Sequence, residues 1–205
     1  KPIPFMRLFS TRLLWGIIIG TFCYNYFVYF CMTWLPAYFA ESRGLTLKAS
    51  GAYTGFSFGG MAVTAMVAGF VADRMIVRGA DPVRTRKMFT VAGLLVASTV
   101  VIGAFAESNQ VALAFSIISL SGLGLATANY WALTQTLMPG AAIGRIAGVQ
   151  NMASNLSGIV APLFTGWMLQ ATGSYSAPIF AVGGVLLVGV LAYVLMVHAR
   201  YAPQA

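Results

Sequence analysis

The side chains best suited to hold a ligand in this sequence are uncharged. Asn151 and Asn155 stand four residues apart, a spacing that puts both amides on one face of a helix. An amide carries donors and acceptors together, so it can hold a carboxylate or a hydroxyl without adding charge. The competing use of such a pair is as glue between membrane helices. Thr21, Asn25 and Tyr29 repeat the spacing and form a second polar stripe with Tyr24 beside it; here the alternative is a packed aromatic core. Trp131 sits among Thr127, Asn129, Tyr130, Thr134 and Gln135. It falls well inside its apolar run, away from the ends where interfacial Trp concentrates.

Groups that could carry a proton are few. The carboxylates Glu41, Asp73, Asp81 and Glu107 and the one histidine, His198, all fall between apolar runs or at their edges. Hydrolysis needs a nucleophile with a base, and no second histidine or mid-run carboxylate supplies one, so the chain does not read as an enzyme. Cys23 and Cys31 share one apolar run without paired CxxC spacing, which offers neither a disulfide framework nor a zinc site. No metal and no cofactor are expected. Ionisable groups at mid-membrane depth mark proton and ion paths; this chain has none and is expected to supply no proton relay of its own.

Such residues must be positioned by helices that cross a bilayer. Of 205 residues, 59% are hydrophobic and 8% charged, against about 25% charged in soluble domains. The net charge of +8 would suit nucleic acid if bases covered a soluble face with interleaved aromatics. They sit instead between apolar runs, so no nucleic acid is expected as a partner. At about 20 residues per crossing, the spans are 13–35, 49–72, 88–106, 111–137, 146–169 and 177–197. Six crossings place Lys1, Arg7, Arg12, Arg74, Arg78, Arg84, Arg86, Lys87, Arg145 and Arg200 on one side and only Arg43 and Lys48 on the other. The positive-inside rule then puts both termini in the cytoplasm. The opening Lys1-Pro2-Ile3-Pro4 lacks an initiator Met and a signal peptide pattern, so the chain is expected to begin inside a longer polypeptide.

The spans repeat in kind. The first and second are rich in polar and small residues and the third is nearly all aliphatic; the fourth, fifth and sixth follow the same order. Polar groups in lipid need protein or water as partners, so the first, second, fourth and fifth should line an interior while the third and sixth face lipid. This is the pattern of a 3+3 inverted repeat in one half of a transporter. The fold expected is an all-α integral membrane domain: a cytoplasmic segment 1–12, a three-helix repeat 13–106, a second repeat 107–200 and a cytoplasmic tail 201–205. Gly51, Gly55 and Gly59 form a small-residue face suited to close helix approach. A channel is disfavoured, because neither an arginine at every third position nor a TVGYG filter is present. Polar stripes on four helices argue against an inert scaffold.

The residues carry a family resemblance as well. Gly69-Phe-Val-Ala-Asp73-Arg74, then Gly79 and Arg84-Thr-Arg86-Lys87, resembles the GxxxD[RK] motif with its basic cluster in major facilitator transporters, where it joins helices eight and nine. On that numbering the chain is similar to helices seven to twelve. The stretch from Phe22 through Asn25, Tyr26, Tyr29, Thr33 and Trp34 to Tyr38, with Arg43-Gly44, Trp131, and Gly148-Val-Gln-Asn151 through Asn155 to Gly158 and Pro162, resembles the anion:cation symporter family. The resemblance implies alternating-access, proton-coupled uptake of small organic anions, such as sugar acids or other carboxylates, across the inner membrane. An exporter of drugs or metabolites in the same superfamily is the alternative. It implies that Trp131 and Asn151 contact the substrate, with Asn155 a weaker candidate beside them. Tyr24 stands where some relatives carry a basic anion-binding residue and would act by hydrogen bonding. Asp73, with Arg74, would latch onto a helix amino terminus of the partner half, while the later bases form a solvated loop. Protons, membrane lipid and an amino-terminal six-helix half holding the coupling carboxylate are the implied partners. Ile76 replaces a Gly of the stricter motif, so the turn there need not follow the family's.

Overall fold

The computed structural model describes residues 9–202. Lys1 and Arg7, counted above among the bases of one side, lie outside it, as do most of the segment 1–12 and the end of the tail. The described chain consists of α1 (Arg12–Ala37), α2 (Leu47–Val77), α3 (Pro82–Ala97), α4 (Val100–Ala104), α5 (Asn109–Leu137), α6 (Gly140–Thr172) and α7 (Ser176–Met196), where α4 continues the crossing begun by α3. Thr11, Thr46, Asp81 and Ser108 accept the first free backbone N–H groups of α1, α2, α3 and α5. Each cap satisfies a donor the helix cannot. Pro36 has no N–H to donate, and the end of α1 widens into a π-helical turn, Tyr38–Ser42.

Several elements run past their expected ends. The third crossing starts at Pro82, six residues before the expected start at Met88, because Asp81 caps it and proline at the first helical position is pre-set for the helix. Arg84, Arg86 and Lys87 are therefore helical, not loop. The fifth starts at Gly140 and carries Arg145 on an exposed face. α2 continues helically through Ile76 to Val77, and the chain turns at Gly79, whose φ of +98° favours glycine. The turn thus falls three residues after Ile76.

Five helices are long and apolar enough to cross a membrane by composition. α6, at 33 residues, is diluted by Gln150, Asn151, Ser154, Asn155 and Ser157. Its packing carries it across beside α1. Gln150 Nε2 donates to Thr21 Oγ1 at 3.0 Å, and eight residues further along both helices Gly158 faces the ring of Tyr29. Eight helical residues rise about 12 Å, so α1 and α6 run parallel and in step through the bilayer.

The same relation recurs with the triplets exchanged. Ser57 and Ser116 share a hydrogen bond of 2.7 Å, and Gly60 faces Ile117 and Ser121 while Gly69 faces Ala128, so α2 and α5 also run parallel. In contrast, α3 and α4 cross α5 antiparallel, with Gly93 against Gly122 and Gly103 against Phe115. α7 crosses α1 antiparallel, with Tyr193 against Gly20 and Cys23 against Gly189. Every contact of the first triplet has its counterpart in the second, which is the inverted 3+3 repeat. α1 and α5 occupy the centre and are the buried members, whereas the polar stripes also place the second and fifth crossings at an interior. α2 and α6 flank them with one face open, where Phe56, Met66 and Phe70 of α2 and Met152 and Leu163 of α6 are exposed. Gly51, Gly55 and Gly59 have no neighbour within contact distance among the described residues; the close approaches on α2 are made by Gly60 and Gly69 instead. α7 buries Val182, Leu186 and Tyr193 and exposes Leu187, Leu191 and Leu195, so it presents an apolar outer face.

Candidate functional site

The central helices bring aromatic rings together. Tyr24 of α1 lies tilted against Tyr130 of α5 at 4.7 Å between centroids, and Tyr130 meets Trp131 at 5.6 Å. The Tyr24 hydroxyl is 2.7 Å from Thr127 Oγ1. Thr127 already donates to the Leu123 carbonyl, so the Tyr24 hydroxyl donates to Thr127 and has no proton left for an anion. Tyr24 is buried and forms a wall. Asn25, also buried, donates its amide to the Thr21 carbonyl at 2.9 Å. Its side chain also lies within hydrogen-bond reach of the Tyr130 hydroxyl.

On α6 the two asparagines differ. Asn155 donates to the Asn151 carbonyl of its own helix at 2.8 Å. The Asn151 side chain is exposed and, among the described residues, makes no hydrogen bond. Its neighbour Gln150 is fully buried against Thr21, with Oε1 unsatisfied. The Gln150–Thr21 bond therefore fixes α6 at the level of Thr21 and leaves Asn151 exposed. Tyr29 lies over Gly158, where an added Cβ would come within 2.9 Å of the ring; only glycine lets the phenol lie flat on α6. The sequence candidates thus fall into an aromatic wall on α1 and α5 (Tyr24, Trp131, joined by Tyr130) and an open amide on α6 (Asn151). Tyr130, Thr127 and Gln150 complete the arrangement, and each is visible in the sequence only as one polar residue among many.

The latch candidates sit at the basic end. Asp73 Oδ1 accepts from Arg86 at 2.9 Å, with side-chain exposures of 65% for the acid and 18% for the base. Arg74 is exposed in the last turn of α2. Arg86 is therefore a partner of Asp73 and not part of a solvated loop. Lys87 donates to the Val194 and Val197 carbonyls, and lies 3.2 Å from His198 Nε2. It satisfies the free carbonyls at the end of α7.

The opposite end is tied by Arg43, which donates to the Tyr38 hydroxyl and to the Ala106 and Gly103 carbonyls. It joins the end of α1 to the end of α4. The Tyr175 hydroxyl donates to Glu41 Oε2 at 2.8 Å, and burial together with that carboxylate pushes the Tyr175 phenol up to about 12. The bond therefore keeps its proton throughout the physiological range. Arg43 and Glu41 carry fold contacts that an external loop reading does not anticipate.

Comparison with known proteins agrees with this architecture. A D-galactonate transporter of Escherichia coli is 31% identical over 192 residues, 93% of this chain and 44% of that protein. The probable galactarate/D-glucarate transporter of Bacillus subtilis is 26% identical over 201 residues, 95% of the chain and 43% of the relative. The probable L-galactonate transporter of Escherichia coli is 28% identical, covering 93% and 42%. The chain thus spans less than half the length of these relatives. A crystal structure of a peptide transporter in complex with sulfate superposes with a TM-score of 0.76 at 17% identity, over 95% of this chain and 39% of that one; this likeness shows the fold. The model of the Major Facilitator Superfamily matches residues 1–162. With its swapped three-helix repeats and its sugar-acid transporter relatives, this multi-pass membrane chain belongs to the Major Facilitator Superfamily.

Proposed function

We propose that the chain is the carboxyl-terminal half of an alternating-access importer that carries small organic anions of the sugar-acid type with protons across the cytoplasmic membrane. The observation that carries this reading is the uncharged site: an aromatic wall of Tyr24, Tyr130 and Trp131 with the open amide of Asn151. Such a surface gives hydroxyls and a carboxylate hydrogen bonds and a stacking face, and leaves the counter-charge to another part of the protein. The names of the relatives, transporters of galactonate and galactarate or glucarate, support the substrate class. On this reading the substrate meets Trp131, Asn151, Tyr29 and Asn25, with Asn155 bracing Asn151 and Tyr24 shaping the wall. An amino-terminal six-helix half closes over the open faces of α2 and α6, and supplies the coupling carboxylate. The two repeats divide at 106/107, and segments 1–12 and 201–205 lie in the cytoplasm.

Topology has its own test. Cysteine at Lys48 should react with an impermeant maleimide added outside intact cells, and cysteine at Arg78 only after permeabilisation. The reverse labelling would invert the orientation.

Coupling is tested by uptake of galactonate into proteoliposomes holding the full-length protein, with and without an inward proton gradient. Glu41→Gln, Asp81→Asn and Glu107→Gln should each keep gradient-driven accumulation, because these carboxylates sit at helix ends and in connections. Asp73→Asn removes an exposed ion pair worth about 0.2–1 kcal/mol. It should slow counterflow exchange and driven uptake together by about two- to fivefold, since a latch acts on conformational change in both. A variant that retains exchange and loses accumulation would place coupling in this half and defeat the proposal.

A further inference from the structure

At the basic end, α3 and α7 part to leave a groove of about 550 Å³. Its α3 wall is one helical stripe: Arg84, Lys87, Met88 and Val91 recur at the spacing of a single face. The exposed Arg84 and the half-buried Lys87 stand beside Met88 and Val91, and Val194 of α7 and Val197 just past it complete the lining. The groove therefore sets bases beside apolar side chains. The helices that line it expose further apolar side chains, Leu187 and Leu191 on α7 and Leu95 on α3.

Bases outnumber acids around this groove, Arg84, Lys87 and Arg200 against Asp81. Among the described residues the one salt bridge is Asp73–Arg86, which leaves Arg84 and Lys87 without an acidic partner. Arg200 lies close enough to act on Lys87 as a like charge, and it stacks on Tyr201 at 4.7 Å. The one acid in the wall, Asp81, accepts the Arg84 backbone N–H at 2.6 Å as the cap of α3. The Lys87 ammonium already makes its bonds to two α7 carbonyls and to His198, so it contributes field, while the exposed Arg84 guanidinium is available to bond. A ligand that fits must be anionic at one end and apolar along its length.

We propose that this groove seats an anionic phospholipid, with its headgroup phosphate at Arg84 and Lys87 and an acyl chain along Met88, Val91 and Val194. The sugar-acid substrate proposed for the central site is polar on all sides and does not match these walls. Basic recesses between transmembrane helices on the cytoplasmic side commonly take such headgroups.

The test is native mass spectrometry of the full-length, delipidated protein titrated with dioleoyl phosphatidylglycerol or dioleoyl phosphatidylcholine. Each base near the headgroup is worth about fivefold in affinity, so phosphatidylglycerol should bind about twentyfold more tightly than phosphatidylcholine. Arg84→Gln keeps the α3 backbone cap and should weaken phosphatidylglycerol about fivefold, leaving phosphatidylcholine unchanged. Arg145→Gln, an exposed base on α6 outside this groove, should change neither. Inorganic phosphate at the lipid's concentration should displace none of it. Equal binding of the two lipids, equal losses in Arg84→Gln and Arg145→Gln, or displacement by phosphate would each overturn the assignment, the last in favour of a soluble anion.

Discussion

Trp131→Ala and Asn151→Ala in the full-length protein are each expected to raise the KM for a sugar-acid substrate by about tenfold to a hundredfold, with unchanged protein in the membrane. A lost hydrogen bond to a charged ligand costs about 1.5–3 kcal/mol, and about 1.4 kcal/mol is tenfold in affinity. Asn151 is exposed, and its amide bonds nothing else among the described residues, so its removal leaves no buried partner stranded. The effect should therefore appear in binding and not in expression. Trp131 is half-buried against Tyr130, and its truncation removes the stacking face. Trp131→Phe should recover most of the affinity if the face, and not the indole N–H, is what the substrate meets. Tyr24→Phe provides the contrast, since its hydroxyl is already given to Thr127 and its loss should change KM far less than the Asn151 variant does. Unchanged KM in both alanine variants would remove these residues from the site.

The helices were legible because lipid enforces a simple rule: a crossing must be apolar and about 20 residues long. Their ends were not, because charge interrupts hydropathy without interrupting a helix. Arg84, Arg86 and Lys87 stop an apolar run, yet all three are helical, one bound to Asp73 and one to the carbonyls of α7. The Asp81-Pro82 pair was the available signal, since it joins a capping acceptor to a residue pre-set for the first turn. Polar stripes were a weaker guide than they look. Thr127, Asn129, Thr134 and Thr136 each donate to a carbonyl four residues back in α5. Such back-bonding uses a side chain's donor without any neighbouring helix, so polarity alone does not say which residues face a cavity. Asn151, like Gln135, makes no such bond, a property of geometry and not of sequence. Small-residue spacing misled for a similar reason. Gly51, Gly55 and Gly59 are open, whereas the closest backbone contacts lie at Gly93, Gly122 and Gly124, which form no matching series.

Those contacts set the second large effect: Gly93→Val and Gly122→Val should each abolish recovery of folded protein. A Cβ at Gly93 would stand 2.5 Å from the Gly122 carbonyl oxygen and 2.8 Å from the Ala126 nitrogen. One at Gly122 would stand 2.5 Å from the Ala97 nitrogen and 2.7 Å from the Gly93 carbonyl. In both directions the obstacle is backbone, so no side chain can swing aside and the helices must separate. Overpacking in a well-filled core costs about 1–3 kcal/mol even where side chains can shift, and here relief requires moving α3 off α5. Association in lipid depends on close packing, without a hydrophobic term to offset the loss. Gly124 meets the Met61 carbonyl on the other side of α5, so α5 is held between two backbones and has no direction in which to yield. Tyr130 and Trp131 follow on the same helix, and any displacement reaches the proposed site. Fluorescence-detected size-exclusion chromatography of fusions to green fluorescent protein should show a monodisperse peak for wild type and for Gly51→Ala and Gly55→Ala, whose positions are open. The Gly93 and Gly122 valine variants should give aggregate or no peak. If the open faces of α2 receive the partner half, Gly55→Ala will slow exchange at normal protein levels, and this separates a glycine that lets helices slide from one that holds them together. A monodisperse, wild-type yield of Gly122→Val would mean that α3 and α5 do not approach as closely as described, and with it would go the fixed position of the aromatic wall.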